Sequence, residues 1–132
     1  MIGTVPQFVA RMRDADQIRA FHEAMLGICQ RTFAEVPLLG YTAGTFGVEI
    51  REYGGLETAK KCLHSEKLGT GFVALSAVNR LDLTLEALIY DNPKWHALFS
   101  EEELAICAAR LGRYGYHKIV GDGQGPGRSL AS

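Results

Sequence analysis

The six residues Phe99-Ser100-Glu101-Glu102-Glu103-Leu104 constrain this chain more than any others, because each of them favours the start of an α-helix. Ser100 can accept a hydrogen bond from the N–H of Glu103, and the Glu103 carboxylate can accept one in return from the N–H of Ser100. Phe99 and Leu104 stand where a hydrophobic staple closes over such a cap. Glu101 and Glu102 place carboxylates at the positive end of the helix dipole. This start lies inside the densest apolar stretch, Gly71 to Tyr116, which also carries the only tryptophan, Trp95. Leu104, Ile106, Cys107 and Leu111 then share one inward face, with Gly112 or Gly115 near the helix end.

Most of the chain uses the same three-and-four spacing. Ile18, Phe21, Met25, Ile28, Cys29 and Phe33 mark a long helix to about Glu35, ended by Pro37 and Gly40. Upstream, Thr4, Pro6 and Gln7 form a helix start with Phe8, Val9 and Met12 inward. Asp14 to Gln17 repeats that signal, so the helix either restarts there or runs through. Thr42 is read as the cap of the next helix, with Tyr41 stapled to Phe46. Gly44 and Gly47 weaken it, each by up to about 1 kcal/mol against alanine, while letting a neighbour come close. Gly54-Gly55 breaks the chain before a short helix bearing Leu56, Ala59, Cys62 and Leu63. Phe72, Leu75, Ala77 and Val78 mark another, ending at Asn79. Asp82 is read as the cap of a helix carrying Leu85, Leu88 and Ile89. The alternation Leu81-Asp82-Leu83-Thr84-Leu85 would also suit a strand, but no partner strand is in sight and Glu86-Ala87-Leu88 continues as helix. Pro93 to Leu98 reads as a helical turn seating Trp95. The expected architecture is an all-α, single-domain bundle of five to seven helices over residues 1–120. Residues 121–132, GDGQGPGRSLAS, form a flexible glycine-rich tail.

A chain of 132 residues holds one core. A net charge of −1 exerts no overall pull on nucleic acid or an anionic membrane. No apolar run reaches the roughly 20 residues of a membrane span, and the first residues lack the basic and apolar blocks of a signal peptide. Cys29, Cys62 and Cys107 are odd in number and widely spaced, as expected of reduced thiols in a cytoplasmic core.

From Gly40 onward the chain resembles a family of small, mostly uncharacterised bacterial proteins. The likeness rests on Gly40-Tyr41, Tyr53-Gly54-Gly55-Leu56-Glu57-Thr58-Ala59-Lys60, Gly71-Phe72 and Arg80 to Ala87. It continues through Phe99 to Ala105, Leu111 and Tyr114-Gly115-Tyr116. It implies an all-helical domain in a bacterial or phage setting, with links to restriction and defence, and carries no catalytic residues over. The chain departs from the family pattern at Leu75 to Asn79 and at Gly44 to Gly47.

Chemistry-bearing residues are sparse. Arg80, Asp82 and Glu86 could meet on one helix face for acid–base work, although a cap and surface charges explain them as well. Four scattered histidines offer no metal spacing, and no phosphate loop or nucleophile elbow is present. Arg110 and Arg113, followed by His117 and Lys118, make a locally basic helix end that could face phosphates or simply complement the dipole. Trp95, Tyr114 and Tyr116 are the aromatics expected at the surface, where they would suit a protein interface. The candidate binding residues are therefore Arg80, Asp82, Glu86, Trp95, Arg110, Arg113, Tyr114 and Tyr116, with no catalytic residue, metal or cofactor assigned. The chain reads as a non-enzymatic protein that binds a partner macromolecule, with another protein favoured, a homodimer compatible and no membrane involved. A nucleic-acid-binding regulator is one alternative, and a small enzyme using Arg80, Asp82 and Glu86 is another.

Overall fold

Helix α1 spans Gln7–Glu35 without a break at Asp14, and the rest of the chain folds around it. The computed structural model describes residues 7–116, with side chains from Asp14 onward. The expected cap at Thr4, the inner face of Phe8, Val9 and Met12, and the glycine tail lie outside the described residues. Phe21, Met25, Ile28 and Thr32 form the buried stripe of α1, at spacings of four, three and four. Ile18 and Phe33, expected on that stripe, lie on the exposed side instead. Val36 precedes Pro37, whose ring disfavours a helical residue before it, and α1 stops there with Val36 outside the helical region, at φ −132° and ψ 72°.

A 3₁₀ turn at Pro37–Leu39 leads into α2, Gly40–Tyr53. Thr42 does not cap α2; it lies inside the helix, which begins two residues earlier with no side-chain cap. The proposed Tyr41 staple also fails, because that ring is 89% exposed. Gly54 has φ 92°, a left-handed conformation that a side chain resists, so it ends α2 and turns the chain into α3, Gly55–Leu63. Gly55 serves packing: a Cβ there would lie 2.6 Å from the Cα of His22 on α1. Its N–H donates to His22 Nδ1 at 2.9 Å. The two glycines therefore do different work.

Helix α4, Thr70–Ala77, ends on Asn79, whose φ of 62° lets the N–H of Arg80 reach the Leu75 carbonyl at 2.8 Å. Leu81–Leu83 is a 3₁₀ turn rather than a strand or a full helix. The cap of α5, Leu85–Tyr90, is Thr84 and not Asp82: its hydroxyl accepts from the N–H of Ala87 at 3.1 Å. Asp82 is already held by Arg80. A 3₁₀ segment at Pro93–Leu98 seats Trp95, and α6 covers Glu101–Arg113 behind the Ser100–Glu103 capping box, with both reciprocal bonds formed.

The protein is thus all-α, with six α-helices, three 3₁₀ segments and no strand among the described residues. The main core gathers Phe21, Met25, Ile50, Leu63, Ile89, Trp95, Phe99 and Cys107. Phe21 meets both Trp95 and Phe99 edge to face, each at 5.4 Å. Phe72, Leu81, Ala87 and Leu111 form a smaller cluster under α4. No described helix is long and apolar enough to cross a membrane.

Candidate functional site

The residues singled out by sequence divide into three places. Arg80 and Asp82 form a two-pronged ion pair at 2.9 and 3.0 Å, joined by Glu35 at 2.6 Å from Arg80 and by Arg31 at 3.7 Å from Asp82. Arg80 holds the Asp82 carboxyl below its ordinary range, and Arg31 with Arg80 takes Glu35 down to about 2. This network ties the end of α1 to the turn after α4.

Glu86 belongs elsewhere. It is 3% exposed, and its partner is Arg110 of α6 at 2.9 Å. The same guanidinium donates to the carbonyls of Cys62, Leu63 and Ser65, completing the C-terminal end of α3. Burial pushes the Glu86 carboxyl up and Arg110 opposes that shift. Arg80, Asp82 and Glu86 therefore do not meet in one pocket, and Arg110 is taken from the basic surface on which it was expected. Arg113 remains exposed.

The aromatics also separate. Trp95 is 5% exposed and belongs to the core, contrary to its expected surface position; the helical turn buries the ring against Phe21. Tyr114 is partly exposed, edge to face with Phe72 at 5.2 Å. Tyr116 donates its hydroxyl to Asp91 at 2.7 Å, and burial, then this bond, pushes its pKa up. It acts as a latch between the end of α6 and the end of α5.

Glu103 does more than its sequence position announced. Its carboxylate accepts from the Ser100 N–H at 2.8 Å and from Lys60 at 2.7 Å, and meets His64 Nε2 at 2.8 Å. Burial alone would raise its pKa, but Lys60, the Ser100 N–H and His64 outweigh burial and hold it down, at about 2. Lys60 and His64 lie about 40 residues away in sequence, so only the helical face of α3 hinted at their arrival. Burial takes the thiols of Cys29 and Cys62 up to about 11 and that of Cys107 up to about 12, which leaves them protonated and unreactive at neutral pH. No group of three or more His, Cys, Asp or Glu among the described residues could hold a metal.

What stays open is the corner where α1 ends and α2 begins. Leu38 and Tyr41 are 88% and 89% exposed, Phe33 lies against Gly40, and Val48 continues the exposed face of α2 seven residues after Tyr41. Five of the ten exposed large apolar side chains among the described residues fall between Phe33 and Tyr53. Behind this corner lies a cavity of about 360 Å³ between α1, α2, α4 and α5, with Leu39 and Tyr41 in its wall. The one hint in the sequence is the pair Gly69 and Gly71, which line the cavity without side chains to fill it. Helical spacing marks which face turns inward; it does not show that the inward faces of α2 and α4 fail to close.

Compared with known protein families, curated proteins and solved structures, the chain matches none.

Proposed function

We propose that this is a non-enzymatic binding protein that engages another protein through the apolar corner of Phe33, Leu38, Tyr41 and Val48. The observation that carries this reading is the near-complete exposure of Leu38 and Tyr41. Clustered exposed apolar side chains of this size mark interaction surfaces more often than chance surface positions. Tyrosine is enriched at interfaces and among their anchors, and an exposed leucine beside it loses water on docking. The distribution of charge agrees: Glu86, Arg110 and Glu103 are spent inside the fold, which leaves no described constellation poised for catalysis. With Arg110 committed to Glu86 and three carbonyls, the nucleic-acid alternative loses its central cation. The sequence resemblance adds a cytoplasmic, bacterial or phage setting linked to defence or counter-defence.

The experiment is an affinity capture from bacterial lysate with three proteins in parallel: wild type, Leu38→Ser/Tyr41→Ser and Arg113→Gln. The reading predicts a partner that survives nuclease and moderate salt, is lost with the double variant and is kept by Arg113→Gln. Recovery of nucleic acid that falls away steeply with salt and depends on Arg113 would overturn it. Equal capture by the double variant would do the same. A second copy of the chain as the partner would appear as a concentration-dependent mass in solution.

A further inference from the structure

The cavity behind the corner has a chemistry of its own. Most of its wall is apolar, built by Ile28, Phe46, Phe72, Leu75, Leu83 and Leu85. An apolar cavity of about 150 Å³ is enough to take a benzene, so 360 Å³ has room for a bicyclic ring with a short chain. Tyr41, Thr45, Gly69 and Thr70 are wall residues that are also exposed, and they mark the mouth.

The charged groups in the wall are of one sign. Glu49 and Glu86 border the cavity, and no lysine, arginine or histidine does. Cys62, another wall residue, feels both carboxylates, with Arg110 and Lys61 opposing them. Arg110 answers Glu86 from the α6 side. The Glu49 carboxylate has no ion-pair or hydrogen-bond partner among the described residues; only its backbone carbonyl is used, by the Thr58 hydroxyl. An apolar chamber with an unanswered carboxylate at its edge selects a ligand that brings a hydrophobic body and a positive charge.

We propose that the cavity binds a small organic amine, with an aryl or alkyl body among Phe46, Phe72 and Leu75 and its ammonium against the Glu49 carboxylate. Glu86 is answered by Arg110, which leaves Glu49 as the carboxylate that meets the ammonium. The protonated thiols of Cys29 and Cys62 supply neutral, polarisable wall. The site shares Tyr41 with the protein-docking corner but not Leu38, so Leu38→Ser separates the two.

The test uses tryptamine, 3-ethylindole and indole-3-propionate, which share a bicyclic body and differ in charge. Titration calorimetry at neutral pH should show tryptamine binding at least about tenfold more tightly than indole-3-propionate, with 3-ethylindole between them. Amide shifts in ¹⁵N spectra should centre on α2 and α4. Glu49→Gln should leave the melting temperature unchanged and bring tryptamine to within about threefold of 3-ethylindole. Ala43→Leu, which fills the chamber from α2, should abolish binding of all three; Glu49→Gln decides the question if that variant does not fold. Leu38→Ser should keep the amine preference, so loss of protein capture and loss of amine binding are separable. Failure of all three probes to bind, equal binding of acid and amine, or an amine preference that survives Glu49→Gln overturns the proposal.

Discussion

At the contact between α5 and α6, Glu86 is 3% exposed and answered by Arg110 at 2.9 Å. At the contact between α2 and α4, Glu49 has no described partner and borders a cavity of about 360 Å³. The first region pairs its buried charges and packs Trp95, Phe99 and Cys107 beneath them, with only the Trp95 indole N–H left without a partner among the described residues. The second leaves apolar wall uncovered and sets Leu38 and Tyr41 in solvent. Conspicuous charge is a poor guide to where apolar surface stays open here. The α5–α6 side uses its charges to hold helices together, and the other side leaves apolar surface open.

Substitutions on the closed side carry the largest expected effects. Trp95→Ala removes a buried ring packed on Phe21 and should cost about 3–5 kcal/mol in urea unfolding. A loss under about 1 kcal/mol would mean that this region is no tighter than the other. Arg110→Ala leaves Glu86 buried without its cation and should cost about 3–5 kcal/mol at pH 7. Because burial raises the Glu86 pKa, the carboxyl takes up a proton readily as pH falls, so this loss should shrink in acid. Replacing Glu86 and Arg110 together by leucine should cost less than removing Arg110 alone.

Gly55→Ala acts at the α1–α3 seam. The new Cβ meets backbone, 2.6 Å from the Cα of His22, so the helices must part at a cost of about 1–3 kcal/mol. Glu103→Gln should cost about 1–2 kcal/mol at neutral pH, through weaker bonds to Lys60 and His64. The sign of its pH dependence follows from a folded pKa of about 2 against an ordinary 4.5. Its stabilisation is complete above about pH 4.5 and fades as pH falls toward about 2, so the melting curves of wild type and Glu103→Gln should converge over that window. Asp82→Asn, on the part-exposed network, should change stability least, by less than about 1 kcal/mol.

Much of the closed side was legible in the sequence. The Ser100–Glu103 box forms with both of its bonds, because a cap is decided by residues three apart. The breaks at Pro37 and Gly54-Gly55 were legible for the same local reason. Caps that depend on competition were not. Asp82 is a good cap by type, yet Arg80 two residues earlier claims it and Thr84 takes the place. Trp95 and Arg110 were misplaced because burial is a property of the assembled helices. An arginine near a helix end complements the dipole whether it faces water or a buried glutamate, and the spacing of α6 does not separate the two. The exposure of Leu38 and Tyr41 has no local signature either, since Tyr41 stands where a staple would be sought.

Native-state hydrogen exchange compares the two sides in one measurement. Helix α4 buries only Phe72 and Leu75 of its eight residues and rests on α2 and the Leu81–Leu83 turn. Helix α6 is fixed by Glu103, Cys107, Arg110 and Leu111. The account predicts that α4 amides exchange through local opening, at far lower free energy than the amides of Leu104 to Leu111, which exchange only on global unfolding. Protection of α4 equal to that of α6 would show a molecule closed on both sides and contradict it.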